Sequence, residues 1–312
     1  MSQSAGYIAA ILTILCWTFG TFAFTKASRL VAPATVNRVR LLLALIWLTI
    51  ITCLYERISP IQLFTLLNQQ QIFWFGLSGI VGLTIGDHYS FTAFKILGSR
   101  RATLFNCFAP ASALIAGIFL LDETLSAVGI FGMIISASGV LMLSLSQHEK
   151  NQVINEGHGH YAEGIFAGFM SAIGQGVGLA LARQGFLTES DFVAPAIHAT
   201  WMRMLAASVC IYAFGAFKTN VVKEFVDTVK NKKYFSPIFL GSILGPTMGV
   251  SFSLYATSIL EVSVAQTILS LVPVVVMFVS VIFFKEKIKL FSYLAALVSI
   301  IGVLILVWRN GF

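Results

Sequence analysis

Residues 82–97 read GLTIGDHYSFTAFKIL, and residues 245–260 read GPTMGVSFSLYATSIL. Laid over one another at an offset of 163 positions, they pair Gly82 with Gly245, Thr84 with Thr247, Gly86 with Gly249 and Ser90 with Ser253. Ala93, Ile96 and Leu97 likewise fall on Ala256, Ile259 and Leu260. The match runs without a gap from 76–143 onto 239–306, where Ala102, Pro110, Glu123, Gly139, Val140 and Leu141 meet Ala265, Pro273, Glu286, Gly302, Val303 and Leu304. Small gaps extend it upstream: Val31–Ala34 falls on Val193–Ala196, Arg40 on Arg203, and Gly6 and Gly20 on Gly164 and Gly178. The chain is one unit written twice.

Each unit carries five long apolar stretches. The chain is 57% hydrophobic and 11% charged, whereas soluble domains are about a quarter charged. The stretches run approximately over 6–27, 33–54, 71–94, 101–121, 126–146, 161–183, 193–216, 235–258, 264–284 and 290–308. Each, rising about 1.5 Å per residue, is long enough to cross a hydrocarbon layer of roughly 30 Å. The expected fold is an all-α membrane protein of ten transmembrane helices, with one five-helix repeat over 1–146, a polar linker over 147–160 and the second repeat over 161–312. The first stretch follows MSQSAG, which lacks a basic n-region, and is read as a retained helix.

An odd number of spans per repeat makes the two halves cross the membrane in opposite senses, and loop charge agrees. Loops 1–2 and 3–4 hold Lys26, Arg29, Lys95, Arg100 and Arg101, while their counterparts 6–7 and 8–9 hold Arg183 alone. Loops 2–3 and 4–5 hold Arg57 alone, while 7–8 and 9–10 hold Lys218, Lys223, Lys230, Lys232, Lys233, Lys285, Lys287 and Lys289. The bias reverses between repeats. The positive-inside rule then puts the linker in the cytoplasm and both termini outside, in a plasma (inner) membrane. The net charge of +7 is thus a matter of topology, and no nucleic-acid partner is expected; the partners are a small-molecule solute and membrane lipid.

Trp17, Gly20 and Lys26 in the first span, Gly86-Asp87 leading into Ser90-Phe91-Thr92-Ala93-Phe94, then Ala102, Pro110, Leu121-Asp122-Glu123 and Phe284-Lys285-Glu286, form an ordered set. In that set the chain resembles the drug/metabolite transporter superfamily, in the group built from two EamA domains. The resemblance covers nearly the whole chain. It implies two inverted five-helix bundles that export or exchange small polar metabolites such as amino acids.

Ionisable residues at membrane depth are few, and each is a site hypothesis because a charge there needs a partner or a water-filled cavity. Asp87 and His88 lie in span 3, Arg38 and Arg40 in span 2, and His198 and Arg203 in span 7. The depths of Asp87 and Arg40 agree, so an ion pair is expected, with Asp87 beside His88 as the candidate proton-coupling group. The repeat places Arg203 opposite Arg40 but puts Val250 where Asp87 stands, so Arg203 inherits no carboxylate. A planar guanidinium without a partner suits an anionic substrate group. Gln175, Gln266 and Asn106 are candidate hydrogen-bonding groups, and Trp17, Tyr89 and Tyr255 complete the candidate substrate site. Glycines at 79, 82 and 86 and at 241, 245 and 249 predict closely packed helix faces, and Pro110, Pro246 and Pro273 predict mid-membrane kinks.

Cys16, Cys53, Cys107 and Cys210 lie inside apolar stretches without metal-ligand spacing, and His148, His158 and His160 lack a carboxylate or thiol spaced to complete a site. No metal and no cofactor are expected. HExxH, GxSxG and GxxxxGK[ST] are all absent, which argues against an intramembrane enzyme and against self-powered ATP-driven transport. A channel or receptor would want a repeated filter or a ligand-binding soluble domain, and the loops between the apolar stretches are too short for one. The expected function is a secondary transporter working by alternating access.

Overall fold

A computed structural model describes residues 3–120, 126–188, 195–217, 219–259, 268–269, 271–286 and 288–307. Most of those residues are helical, with no strand among them. The first repeat comprises α1 (Gln3–Leu30), α2 (Pro33–Glu56), a 3₁₀ turn (Gln62–Thr65), α3 (Gln69–Ser78), a π-helical segment (Gly79–Gly86), α4 (Asp87–Leu104), a second 3₁₀ turn (Phe105–Phe108), α5 (Ala109–Leu120) and α6 (Ala127–Leu145). The connecting helix α7 (Gln147–Glu156) leads to α8 (Tyr161–Leu187), α9 (Ala196–Ala216), α10 (Val221–Lys230), α11 (Lys232–Ser242), a second π segment (Ile243–Gly249), α12 (Val250–Ile259), α13 (Val272–Phe284) and α14 (Leu290–Val307).

Local chemistry sets the ends. Pro33 opens α2, where its missing N–H is unneeded. Asn68 and Gln71 form a reciprocal capping box on α3. Ser126 caps α6, and Ser146 caps α7. By length and hydropathy six helices qualify as membrane spans, or seven if the bent pair α6–α7 counts as one; α13 and α14 are shorter apolar helices. One of the six is the continuous run Gln69–Leu120 of 52 residues. A straight helix of that length would reach about 78 Å, far more than one bilayer.

That run reverses at Gly98, whose φ of 78° and ψ of 167° fit glycine and break the helix. The glycines of α8 record the reversal. Gly185 lies on Phe75, Gly178 on Gly82, Gly174 on Gly86 and Gly164 on Ile96 and Leu97. The contacts then retrace α8, with Gly168 on Phe105 and Gly176 on Ala109 and Ser112. A methyl group on Gly174 would lie 2.6 Å from the Gly86 Cα, so the backbones meet without side chains between them.

The repeats touch reciprocally. Gly20 of α1 faces Gly245, and its counterpart Gly178 faces Gly82. Gly139 of α6 faces Ser299 of α14, while the counterparts Gly302 and Ser136 face each other. Both π segments occupy the same place in their repeats, which the glycine stripes alone did not predict.

Three expectations are corrected. The linker is a helix with Glu149 and Val153 buried, because Arg100 and Arg101 draw the carboxylate inward. Those two arginines are 2% and 6% exposed at the helix break, so they are not solvated loop charges. Pro273 stands in the first turn of α13, where proline starts a helix, and it does not kink one. Asp122, Glu123 and Lys287 lie outside the described residues.

Candidate functional site

The π segment Gly79–Gly86 frees carbonyls from the ordinary helical ladder, and polar side chains collect on them. Asn37 Nδ2 donates to the Leu83 carbonyl at 3.0 Å and to that of Thr84 at 3.2 Å. Gln175 Nε2 donates to the Gly82 carbonyl at 3.3 Å. Asp87 follows immediately, at the start of α4. Its carboxylate forms an ion pair with Arg40 Nη2 and accepts from Gln175 Nε2. Arg40 is held from below by Asn37, whose Oδ1 accepts from both Nε and Nη2 at 3.0 Å. The Phe91 and Phe24 rings lie 5.1 and 5.9 Å from its guanidinium carbon, close enough for cation–π attraction. With 4% of its side chain exposed, Arg40 is fully enclosed.

Arg203 approaches the same carboxylate from α9. Its backbone presses on Gly79, where a methyl group would sit 2.2 Å from the Arg203 carbonyl oxygen, and its Nη2 lies beside Gly82. The field of Asp87 reaches both guanidiniums. Arg203 makes no hydrogen bond or ion pair among the described residues, and its Nε is buried without a partner. Asp87 is thus ion-paired with Arg40 and acts on Arg203 only through its field, so two cations stand near one carboxylate.

Beyond Phe24 lies a cavity of about 120 Å³ lined by Trp17, Gly20, Thr21, Phe24, Thr103, Asn106, Gly245 and Val272. Pockets for drug-sized ligands span roughly 300–1,000 Å³, so this cavity is smaller than those. The Trp17 indole rests on the bare backbone of Gly249. The Asn106 side chain, on the 3₁₀ turn Phe105–Phe108, is open to the cavity. Phe24 is common to both places: one side faces the cavity, and the ring packs 4.9 Å from Phe91 beside Arg40.

The structure thus brings Asp87, Arg40, Gln175 and Arg203 together, and Trp17 and Asn106 together on the cavity. His88, one residue further along the helix, is exposed, and its ring lies 5.6 Å from that of Tyr89. Tyr89 packs edge-on against Phe166 at 5.9 Å, and Tyr255 is 40% exposed and off the cavity lining. Gln266 lies outside the described residues. Trp201 donates from Nε1 to Thr49 Oγ1 at 2.9 Å in a buried cluster, a packing role.

Sequence reasoning missed Asn37, whose spacing three residues before Arg40 was a legible signal for a partner on the same helix face. It also missed two pairings across long separations: His198 Nε2 with Glu56 Oε1 at 2.7 Å, and Arg38 with Glu224. Among the described residues no group of three or more His, Cys, Asp or Glu is placed to hold a metal.

The family model described as the EamA-like transporter family matches residues 4–145 and, a second time, 162–308. No curated protein matches the chain in sequence. A crystal structure, described only as that of a protein, is similar with a TM-score of 0.63 at 18% identity, covering 100% of this chain and 100% of that one; this is a likeness of fold.

Proposed function

The chain belongs to the EamA-like transporter family and is a multi-pass membrane transporter of the drug/metabolite type, and from that premise we propose that it carries small metabolites bearing a carboxylate, amino acids among them, as an exporter or exchanger. The observation that carries this reading is Arg203, a guanidinium at membrane depth whose Nε is buried and which makes no hydrogen bond or ion pair among the described residues. Such a charge is costly unless an anion compensates it, and the guanidinium fork matches a carboxylate. Trp17, Gln175, Asn106, Tyr89, Tyr255 and Gln266 are assigned to the substrate path, with Trp17 and Asn106 the best supported because both line the cavity.

Substrate affinity tests the assignment. Arg203→Gln should weaken binding of a carboxylate substrate about ten- to a hundredfold, and Arg203→Lys less, because lysine keeps the charge and loses the fork. Binding of the neutral amide analogue should hardly change. Equal losses for acid and amide, in variants that insert normally, would sink the proposal.

Asp87 is the proposed proton-coupling group. Protonating it would leave both Arg40 and Arg203 without their shared carboxylate, so a proton and a substrate anion would favour each other's binding. Carboxylate affinity should therefore rise as pH falls. An Asp87→Asn variant, fixed in the neutral form, should bind the anion with little pH dependence; a pH response as large as in the unmodified protein would remove Asp87 from that role.

We also assign ten spans in two inverted repeats, with repeats 1–146 and 161–312 about the linker 147–160. The count follows when Gly98 divides the run Gln69–Leu120 in two and α6, α13 and α14 are added. The reversed loop charge and the reciprocal glycine contacts support inversion. The proposed orientation puts both termini outside a plasma (inner) membrane. An impermeant thiol reagent applied to intact cells should label a cysteine placed at Gln3 and spare one placed at Lys232; the opposite pattern would reverse the orientation. Alternating access about the Asp87–Arg40–Arg203 centre is the proposed mechanism, with Phe24 separating the charged pair from the cavity.

A further inference from the structure

Between α9 and α11 the chain forms a short helix, α10, that crosses no bilayer. It is docked on one side. Thr228 is buried, Phe225 packs on the main hydrophobic cluster, and Glu224 holds Arg38 and accepts from Thr35 Oγ1 at 3.1 Å. Beside that docked side runs a second stripe, Val222, Val226 and Val229, which remains exposed, Val222 at 69%. Phe214 and Phe217, just upstream, are 69% and 89% exposed. Lys223 and Lys230 border the valine stripe on its outer edge, and Lys232 and Lys233 follow at once. All four lysines are exposed and make no ion pair among the described residues.

The first repeat closes the corresponding connection differently. Its residues 57–68, RISPIQLFTLLN, contain one cation and a 3₁₀ turn. The fold therefore does not need the lysines to join these helices. An amphipathic helix with an apolar stripe beside lysines is the arrangement that lies in a membrane interface, with valines toward acyl chains and ammonium groups toward phosphates. We propose that α10 is an interfacial anchor whose exposed stripe is covered by the bilayer and whose Lys223, Lys230, Lys232 and Lys233 bind the headgroups of anionic lipids. The occupant is lipid: the stripe adjoins the apolar end of α9, and the only carboxylate left free on the helix to oppose the four lysines is Asp227 among the described residues. This inference does not depend on which solute is carried.

The test uses the full-length protein with Val226→Cys carrying a bimane, in a background where Cys53 and Cys210 are serine; Cys16 and Cys107 are buried. It is reconstituted in phosphatidylcholine vesicles with or without phosphatidylglycerol, and thermal midpoints confirm that each variant is folded. Lipids brominated near the glycerol end should quench the label, and more strongly when phosphatidylglycerol is present. Changing the four lysines to glutamate should abolish that lipid-dependent increment while the apolar quenching remains. Added salt should reduce the increment, since exposed charges are screened over about 10 Å at 0.1 M. Quenching by aqueous iodide in place of brominated lipid would overturn the proposal. So would equal quenching in both vesicle types, an increment that survives lysine reversal, or one that soluble glycerol phosphate reproduces.

Discussion

Replacing Asp87 by leucine should destabilise the solubilised protein by about 3–5 kcal/mol, the range for stranding a buried charge, while Arg40→Leu should do less damage. The asymmetry follows from who is left behind. Without Arg40, the Asp87 carboxylate still accepts from Gln175 and remains in the field of Arg203. Without Asp87, Arg40 keeps Asn37 and its two aromatic neighbours, but Arg203 has no hydrogen-bond or ion-pair partner among the described residues. Two uncompensated guanidiniums then remain among apolar helices. The double variant Arg40→Leu/Asp87→Leu should recover part of the loss, since it strands one cation where Asp87→Leu strands two. Thermal unfolding in detergent and the amount of inserted protein measure all three. An Arg40→Leu protein as unstable as Asp87→Leu would show that Arg203 takes no share of the carboxylate.

What was legible in the sequence was whatever recurred. The repeat placed Arg40 opposite Arg203, and the depth argument paired Arg40 with Asp87, as the structure has it. Gln175 was chosen for its reach alone, yet it stands where the first repeat has Trp17; the polar member of that pair donates to Asp87 and the aromatic member lines the cavity. His88 and Asp87 are adjacent in sequence but point about 100° apart on the helix, so adjacency alone does not fix their geometry. The π segments were hidden because glycines at three- and four-residue spacing serve an α-helix equally well. The linker was misread because its composition is that of a solvated loop, and only the tertiary fold brings Arg100 and Arg101 to Glu149. Charge counting took both arginines as loop cations, although they are buried partners of that carboxylate.

Glu149 should prove the most acid-sensitive link between the connecting helix and the rest. Its side chain is 1% exposed and accepts from Arg100 Nη1 and Nη2 at 3.2 and 2.9 Å, from Arg101 Nε at 2.5 Å and from Ser292 Oγ of α14. Arg100 also reaches Glu286 at 3.1 Å, and Arg101 reaches Glu156, which pairs with Arg29 at the end of α1. One carboxylate thus ties α7 to the Gly98 break and to the start of the last helix. Burial alone would raise its pKa, but the hydrogen bonds and charge of Arg100, then Arg101 and Ser292, outweigh burial and hold it down to about 2, against an ordinary 4.5. A depressed carboxyl pKa means that its contribution is present in full above the ordinary range and is lost as pH falls from there through about 2. That contribution amounts to about 3 kcal/mol. Stability should accordingly be flat around neutrality as far as this group is concerned and fall on its account below about pH 4.5. Glu149→Gln should lower stability at pH 7 and flatten the acid limb, and Glu149→Ala should do so more severely because both guanidiniums lose the buried acceptor they share. Hydrogen exchange should show the loss as reduced protection in residues 97–104 and 290–295, the two segments the carboxylate joins. Unchanged protection in both, with stability lost elsewhere, would show that Glu149 is only a local partner of its arginines and does not bind the helices together.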